Sequence, residues 1–456
     1  MKRLSLVFIA IVLTSCSFDN KTGIWKDASN TPVDNQNTKS IKDNKLSTKY
    51  EEVFTKNKTY NEEKQATSLF NFKNSEPIKI INWFEQYAVP TNNISNFSYS
   101  DYKILLSKSS KLSRSTPSEN YFGKKIVFYK KNLISYDHKG TIFIYSLSAN
   151  KKIFEYNFYK KKFKNFIKEI FFTVDRNILY VADNLGYLYA INLSSNSLIW
   201  AKNYGIPFRS NIKIVDEQIF LANQDNVIYS IDIKTGAKNW EYATTLTFLK
   251  SDFKNNFVID ETSNALFFLN TSGELYAIDY VSEKINWLLN FKNISLSGDT
   301  DLFLSQPIVF KNNILIISTE KSVLSLNSFN GSRNWILKSR PILKPILTNN
   351  YTYILSKNDL IICIENKTGN VLWSKNVFSS IGNRTMNKIG KFNDIKIVNN
   401  EINLFTKNGY LLSFDYKNGN LNYIKKISKN GISSEIVFLK DNMLLIDNNN
   451  KLLKFN

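Results

Sequence analysis

Asn226-Val227-Ile228-Tyr229-Ser230-Ile231-Asp232-Ile233-Lys234-Thr235-Gly236-Ala237-Lys238-Asn239-Trp240 carries the plan of the whole chain. A turn residue opens an alternating apolar strand, a Thr-Gly turn follows, and an aromatic arrives fourteen positions after the opening residue. The same distance separates Gly140 from Phe154, Gly186 from Trp200, Gly273 from Trp287, Lys321 from Trp335, Asp359 from Trp373 and Gly409 from Tyr423. Alternation with period two marks strands, and Asn, Asp and Gly between them mark tight turns. Around this unit four strands are expected, over 209–214, 218–222, 227–232 and 238–242.

Successive aromatics lie 46, 40, 47, 48, 38 and 50 residues apart. That period suits four-stranded propeller blades, which bury their faces only by stacking around an axis. The recurring aromatics Phe154, Trp200, Trp240, Trp287, Trp335, Trp373 and Tyr423 supply the large apolar area between neighbouring blades. After Tyr423 the chain offers three more strands, 433–439, 443–446 and 451–455, and then stops. Upstream, 102–108 reads as a strand without a blade. Pairing it with the last three completes an eighth blade and removes exposed sheet edges. Residues 78–456 divided by eight give about 47 per blade, the observed period. The expected fold is therefore all-β, an eight-bladed β-propeller of four-stranded antiparallel blades.

The N-terminus predicts export. Lys2 and Arg3 precede an apolar run, 4–13, too short to span a bilayer and shaped like a secretory signal. It ends in Leu13-Thr14-Ser15-Cys16, which resembles the lipobox of bacterial lipoproteins, in which the Cys becomes the acylated first mature residue. Stable anchoring then follows from more than one acyl chain, each buried methylene contributing roughly 0.8 kcal/mol. Ser17 is not Asp, and by resemblance to the known sorting pattern this sends the protein to the outer membrane. The domain reading is a signal peptide over 1–16, a flexible polar tether over 17–77, and the propeller over 78–456. With Cys16 acylated, Cys363 is left without a disulfide partner. Trp25 stands alone in the tether, and Trp83 sits where the folded region begins.

Chemistry is sparse. His138, the single histidine, reads as a surface turn residue, and no multi-histidine metal site can form. No nucleophile elbow, phosphate loop or dinucleotide fingerprint is present. Residues 447–450 lack the Gly and bidentate Glu of a calcium loop and read as a hairpin turn. No catalytic residue, metal or cofactor is expected. The net charge of +21 invites a nucleic-acid partner, but the lysines are dispersed and an exported, lipid-anchored chain does not meet genomes. The densest run, 151–162, reads as a solvated turn, with anionic lipid as the other reading.

Asp232-Ile233-Lys234-Thr235-Gly236 to Trp240 and Glu365-Asn366-Lys367-Thr368-Gly369 to Trp373 resemble the repeat of quinoprotein propellers, in which a Thr-Gly turn leads to a docking Trp. Two groups carry it: quinone-dependent dehydrogenases, and the BamB-type lipoproteins of the outer-membrane β-barrel assembly machinery. The dehydrogenases are longer and use a vicinal Cys pair, absent here. Signal, Cys16, tether, length and blade count together resemble the second group. That resemblance implies a non-enzymatic scaffold at the outer membrane, facing the periplasm, that contacts the periplasmic domains of the barrel-inserting subunit and other assembly lipoproteins, with no small-molecule substrate. An exported binding or sensing propeller and a dehydrogenase-like enzyme are the alternatives. Partner contacts are expected in the outer-to-inner strand connections, with Phe208, Arg209, Leu302 and Phe303 as candidates; the competing reading is that Phe208 and Phe303 begin the next inner strands and are buried.

Overall fold

The computed structural model describes residues 16–18, 25–27, 59–67, 72–73, 75–99, 104–113, 125–159, 163–247, 254, 256–291 and 303–456. Two compact units are present, Met1–Lys58 and Thr59–Asn456. In the first, Cys16–Phe18 pairs antiparallel with Trp25–Asp27, Cys16 lying opposite Asp27. The signal run before Cys16 and the whole segment between Asp27 and Thr59 lie outside the described residues.

The second unit is an eight-bladed β-propeller of four-stranded antiparallel sheets. Counted from innermost to outermost strand, blade 1 runs from Val127–Tyr129 to Lys151–Asn157 and blade 2 from Ile170–Asp175 to Ser197–Asn203. Blade 3 runs from Lys213–Val215 to Lys238–Ala243, blade 4 from Asn256–Asp260 to Lys284–Asn290, and blade 5 from Val309–Lys311 to Arg333–Leu337. Blade 6 spans Ile346–Leu347 to Val371–Asn376, and blade 7 spans Phe392–Val398 to Leu421–Lys426. Blade 8 takes Val437–Leu439, Asn442–Ile446 and Lys451–Phe455 from the C-terminus, and Leu105–Lys111 closes it as the outermost strand. Of the strand expected over 102–108, residues 102 and 103 lie outside the described residues; the closing strand runs over Leu105–Lys111, and its register against Lys451–Phe455 carries two irregularities.

The turn between the second and third strands recurs in several blades. The residue at or just after the end of the second strand accepts backbone N–H bonds from positions two and four ahead: Asp183 from Leu185 and Tyr187, Asn223 from Asp225 and Val227, Asn270 from Ser272 and Glu274, Asp447 from Asn449 and Lys451. In blade 6 Ser356 takes that place and accepts from Leu360. Such Asx turns demand a left-handed residue just before the next strand. Gly186 (φ 88), Asn226 (φ 62) and Asp359 (φ 58) supply it. Blade 5 differs because Thr319 closes a shorter loop to Ser322, which leaves Lys321 free of that constraint.

The folded unit begins earlier than the tether reading placed it. Lys64 pairs antiparallel with Ser374 on the outer edge of blade 6, each amide N–H donating to the other's carbonyl at 3.0 and 2.9 Å. Glu63 accepts from the Asn376 N–H at 2.7 Å, and the Phe72 ring lies 5.2 Å from Tyr351. Polar composition concealed this strap because it is held by backbone bonds and polar side chains, which leave no apolar period.

Residues 78–99 form a pin that makes one circuit of the central axis. Ile80 accepts from Lys440 of blade 8, and Trp83 exchanges two backbone bonds with Phe128 of blade 1. Phe84 accepts from Val174 of blade 2, Pro90 from Ile259 of blade 4 and Thr91 from Phe310 of blade 5. Asn93 holds Leu347 of blade 6 through both side-chain atoms, and Phe97 pairs with Ile397 of blade 7 before Tyr99 returns to Met443 of blade 8. Blade 3 is reached by an ion pair, Glu85 Oε2 to Lys213 Nζ at 3.0 Å, both side chains buried. These contacts fall toward the C-terminal ends of the inner strands, so the pin closes that end of the channel.

Candidate functional site

The seven docking aromatics occupy one structural position. Each lies opposite a residue of the third strand, small in six of seven cases: Ala190, Ser230, Ala277, Ser325, Cys363 and Ser413 face Trp200, Trp240, Trp287, Trp335, Trp373 and Tyr423, while Ile144 faces Phe154. A register shift follows each of these pairs. The bulge swings the ring off its own sheet toward the next blade. Buried Cys363 is thereby explained as a small residue beneath Trp373, its thiol pushed far up by burial.

The ring docks on the turn before the following blade's outer strand, Thr-Gly in blades 3 and 6 and Asn-Gly in blade 5. Trp200 Nε1 donates to Ile233 O at 3.3 Å, Trp287 to Ser328 O at 3.0 Å and Trp335 to Asn366 O at 2.8 Å. A Cβ on Gly236 would stand 2.7 Å from the Trp200 ring, and one on Gly331 2.9 Å from the Trp287 ring. Glycine is required there by close approach and by its positive φ alike. Trp240 meets a turn with Glu283 at φ 61 instead of glycine, and its Nε1 is left without a partner. Trp373 is wholly buried, because the strap covers its strand.

The four residues singled out in the outer-to-inner connections fare differently. Phe208, expected as a partner contact, is fully buried between blades 2 and 3, where it packs edge-on against Tyr204 and Tyr229. Phe303 is also buried, stacked on Phe291 and filling the space above Gly273. Both are corrections: each begins the approach to an inner strand, where an apolar side chain is drawn into the core. Arg209 turns toward the channel, 3.5 Å from Glu169. Leu302 lies outside the described residues. The same rim exposes Phe166, Ile167, Leu246 and Met386, all more than a third accessible. They escaped sequence reasoning because an isolated apolar residue in a connection carries no period.

The second feature is the mouth of the central channel, at the end opposite the pin's contacts. A cavity of about 240 Å³ is lined by Gln86 and Tyr87 of the pin and by Lys125, Lys254, Gln306, Pro307, Leu343, Lys344, Asn393, Asp394, Lys396 and Glu435. Blades 1, 4, 5, 6, 7 and 8 contribute near the start of their inner strands, where side chains converge on the axis. Glu169 of blade 2 stands beside this set, 3.6 Å from Lys125 and 2.5 Å from Lys254. Burial raises the Glu169 carboxyl, but Lys254, Lys125 and Arg209 outweigh it and hold it down at about 2. Burial, reinforced by Lys254, lowers Lys125 well below the ordinary lysine range. Lys344 is brought down to about 7 by burial and by Lys396, and Glu435 is pushed up to about 7 by burial and by Asp394, against Lys396. Tyr87 and Ala88, in the pin, hold φ of 69° and 73°, a strained conformation for residues with a Cβ. Among the described residues no group of three or more His, Cys, Asp or Glu side chains is placed to hold a metal.

Eight blades, docking aromatics and Thr-Gly turns define a propeller of the quinoprotein-repeat class. Within it, the family model described as outer membrane protein assembly factor BamB matches residues 146–375, and the chain belongs to that family. BamB of Moranella endobia (strain PCIT) is 21% identical over 274 residues, which are 56% of this chain and 66% of that protein, just under two thirds of its length. Among solved structures, BamB from Moraxella catarrhalis has a TM-score of 0.59 at 12% identity, covering 76% of this chain and 99% of that one. Quinohemoprotein alcohol dehydrogenase ADHIIG from Pseudomonas putida HK5 has a TM-score of 0.58 at 9% identity, covering 82% of this chain and 80% of that one. At those identities both likenesses speak for the fold alone.

Proposed function

We propose that the chain is a non-enzymatic scaffold lipoprotein of the outer-membrane protein assembly machinery. The observation that carries this reading is membership of the BamB family across residues 146–375. Acylated Cys16 holds the propeller at the periplasmic face of the outer membrane. The rim of outer-to-inner connections receives the periplasmic domains of the barrel-inserting subunit, with other assembly lipoproteins nearby. Phe166 and Ile167, 61% and 58% exposed beside one another, are the contacts best placed for it, since exposed apolar pairs on an otherwise polar rim favour protein association. A dehydrogenase-like reading calls for convergent carboxylates in the channel; lysines outnumber carboxylates among the residues lining it here.

Capture of the tagged full chain from detergent-solubilised membranes tests the role. Co-purification of the barrel-inserting subunit is expected, with sharp loss on Phe166→Ser/Ile167→Ser; its reproducible absence from the unaltered protein sinks the proposal. Cys16→Ala should release the chain into the soluble fraction, and continued tight membrane attachment would refute the lipid anchor.

A further inference from the structure

The channel mouth holds more positive charge than its own carboxylates neutralise. Lys125, Lys254, Lys344 and Lys396 line it with Asp394 and Glu435. Behind them Arg209 and Glu169 add one charge of each sign, which leaves the excess unchanged. Lys396 is satisfied by Asp394 Oδ1 at 2.9 Å. Lys125 is not: only 4% exposed, its Nζ makes no hydrogen bond, lies 3.6 Å from the nearest Glu169 oxygen, and rests 3.4 Å above the Phe171 ring. Lys344 finds only the neighbouring Pro345 carbonyl at 3.4 Å and the Tyr87 ring at 5.4 Å. A buried ammonium without a hydrogen-bonding acceptor is costly. Lys125 is such a group, and half-buried Lys344, with its single long bond, faces the same cavity; together they make a site lacking its anion.

We propose that the channel mouth is a binding site for a small multivalent anion, bearing phosphate or carboxylate groups, received between Lys125, Lys344 and Lys254. The cavity, about 240 Å³, falls below the roughly 300–1,000 Å³ of sites for drug-sized ligands, so the occupant is compact: a free phosphate, a short polycarboxylate, or the phosphate of a larger molecule whose remainder stays outside. Its oxygens supply the acceptor that Lys125 lacks and a closer one than Pro345 O for Lys344, and its charge offsets the surplus. The pin forms the floor through Gln86 and Tyr87, so the ligand enters from the rim opposite the pin's closure. This inference does not depend on the scaffold role, since the site is built by the propeller itself.

Isothermal titration of the full-length protein in detergent with inorganic phosphate, and separately with citrate, tests it. Saturable one-to-one binding is expected for at least one of them, weakened by roughly tenfold or more in Lys344→Met, the loss of one charge-assisted hydrogen bond. Lys344→Arg should restore it, and Lys238→Met, on the outer strand of blade 3, should leave it unchanged. If Lys344→Met does not fold, Lys254→Gln at a partly open position provides the same comparison. Preference for phosphate over citrate points to a phosphorylated ligand, and the reverse to a polycarboxylate. No saturable binding of either, or binding equally strong in Lys344→Met, Lys254→Gln and Lys238→Met, overturns the proposal, the latter because a chain of net charge +21 would then be binding anions nonspecifically.

Discussion

Gly369→Ala should destabilise the propeller far more than a solvent-facing glycine of similar backbone conformation. At Gly369, φ is +77°, and a Cβ would stand 2.5 Å from Trp335 Cβ and 2.6 Å from Cγ. Those atoms sit close to the Trp335 backbone and cannot swing aside, and the ring is only 6% exposed. Left-handed strain costs about 1–2 kcal/mol for a non-glycine residue, and overpacking a filled site about 1–3 kcal/mol. Displacing the indole also loosens its 2.8 Å bond to Asn366 O, a further ~1 kcal/mol. The total is about 3–6 kcal/mol. Gly205 is the matched control: φ is +80° and nothing lies within 4 Å of its would-be Cβ. Gly205→Ala should therefore cost only the strain, about 1–2 kcal/mol. Urea unfolding followed by tryptophan fluorescence separates the two through their midpoints at constant slope. Equal midpoint shifts would refute the claim that the turn is glycine because a docking ring lies on it.

Trp373→Ala, at a wholly buried ring, should cost about 3–5 kcal/mol, and Trp240→Ala distinctly less, because that ring is only half-buried; denaturant midpoints give the comparison. Glu85→Gln leaves Lys213 charged in a site with no exposure and should cost about 3–5 kcal/mol, whereas Glu85→Met/Lys213→Met should recover much of the loss; an unrecovered double variant would show that the pair acts by more than mutual neutralisation. Stability should pass through a minimum near pH 7. Glu435, raised from 4.5 to about 7, contributes stability present below 4.5 and lost as pH rises to 7, while Lys344, lowered from 10.5 to about 7, contributes stability present above 10.5 and lost as pH falls to 7. Thermal unfolding on both sides of pH 7 should lose its acid-side slope in Glu435→Gln and its alkaline-side slope in Lys344→Met.

The blades were legible in sequence because one repeat unit carries two linked signals, a left-handed turn residue and a docking ring at fixed distance. Closure was legible because three strands at one end and a lone strand at the other cannot each stand alone. Phe208 and Phe303 misled because an apolar residue beside a charge is equally the mark of an interface and of a chain entering the core; their burial decides it. The cationic mouth was hidden by distance along the chain. Lys125, Lys254 and Lys344 each stand two residues ahead of an inner strand, as does Glu435, and only alignment of the repeats in register would have placed them on one ring. The strap and the pin were illegible for a different reason: they bind mainly through backbone groups and amide side chains, which impose no period.

The pin explains why the repeat is free to degrade at the point of closure. Tyr423 is the docking aromatic that faces blade 8, where the third and fourth strands come from opposite ends of the chain and no Thr-Gly turn joins them. With no glycine turn to receive an indole, the selective reason for Trp is absent, and Tyr423 instead packs against the cluster shared by Trp83, Phe97, Phe438 and Phe455. That cluster joins the pin to blades 7, 8 and 1, so the axial segment is thick with aromatics where the ring is closed by strands from both ends of the chain: Trp83 stacks on Phe97 at 5.8 Å, and Phe97 lies 5.5 Å from Phe438. Elsewhere the pin uses hydrogen bonds and the Glu85–Lys213 ion pair, and Trp on glycine holds several of those seams. Axial and circumferential packing thus complement one another, and the departures from repeat consensus mark where one takes over from the other.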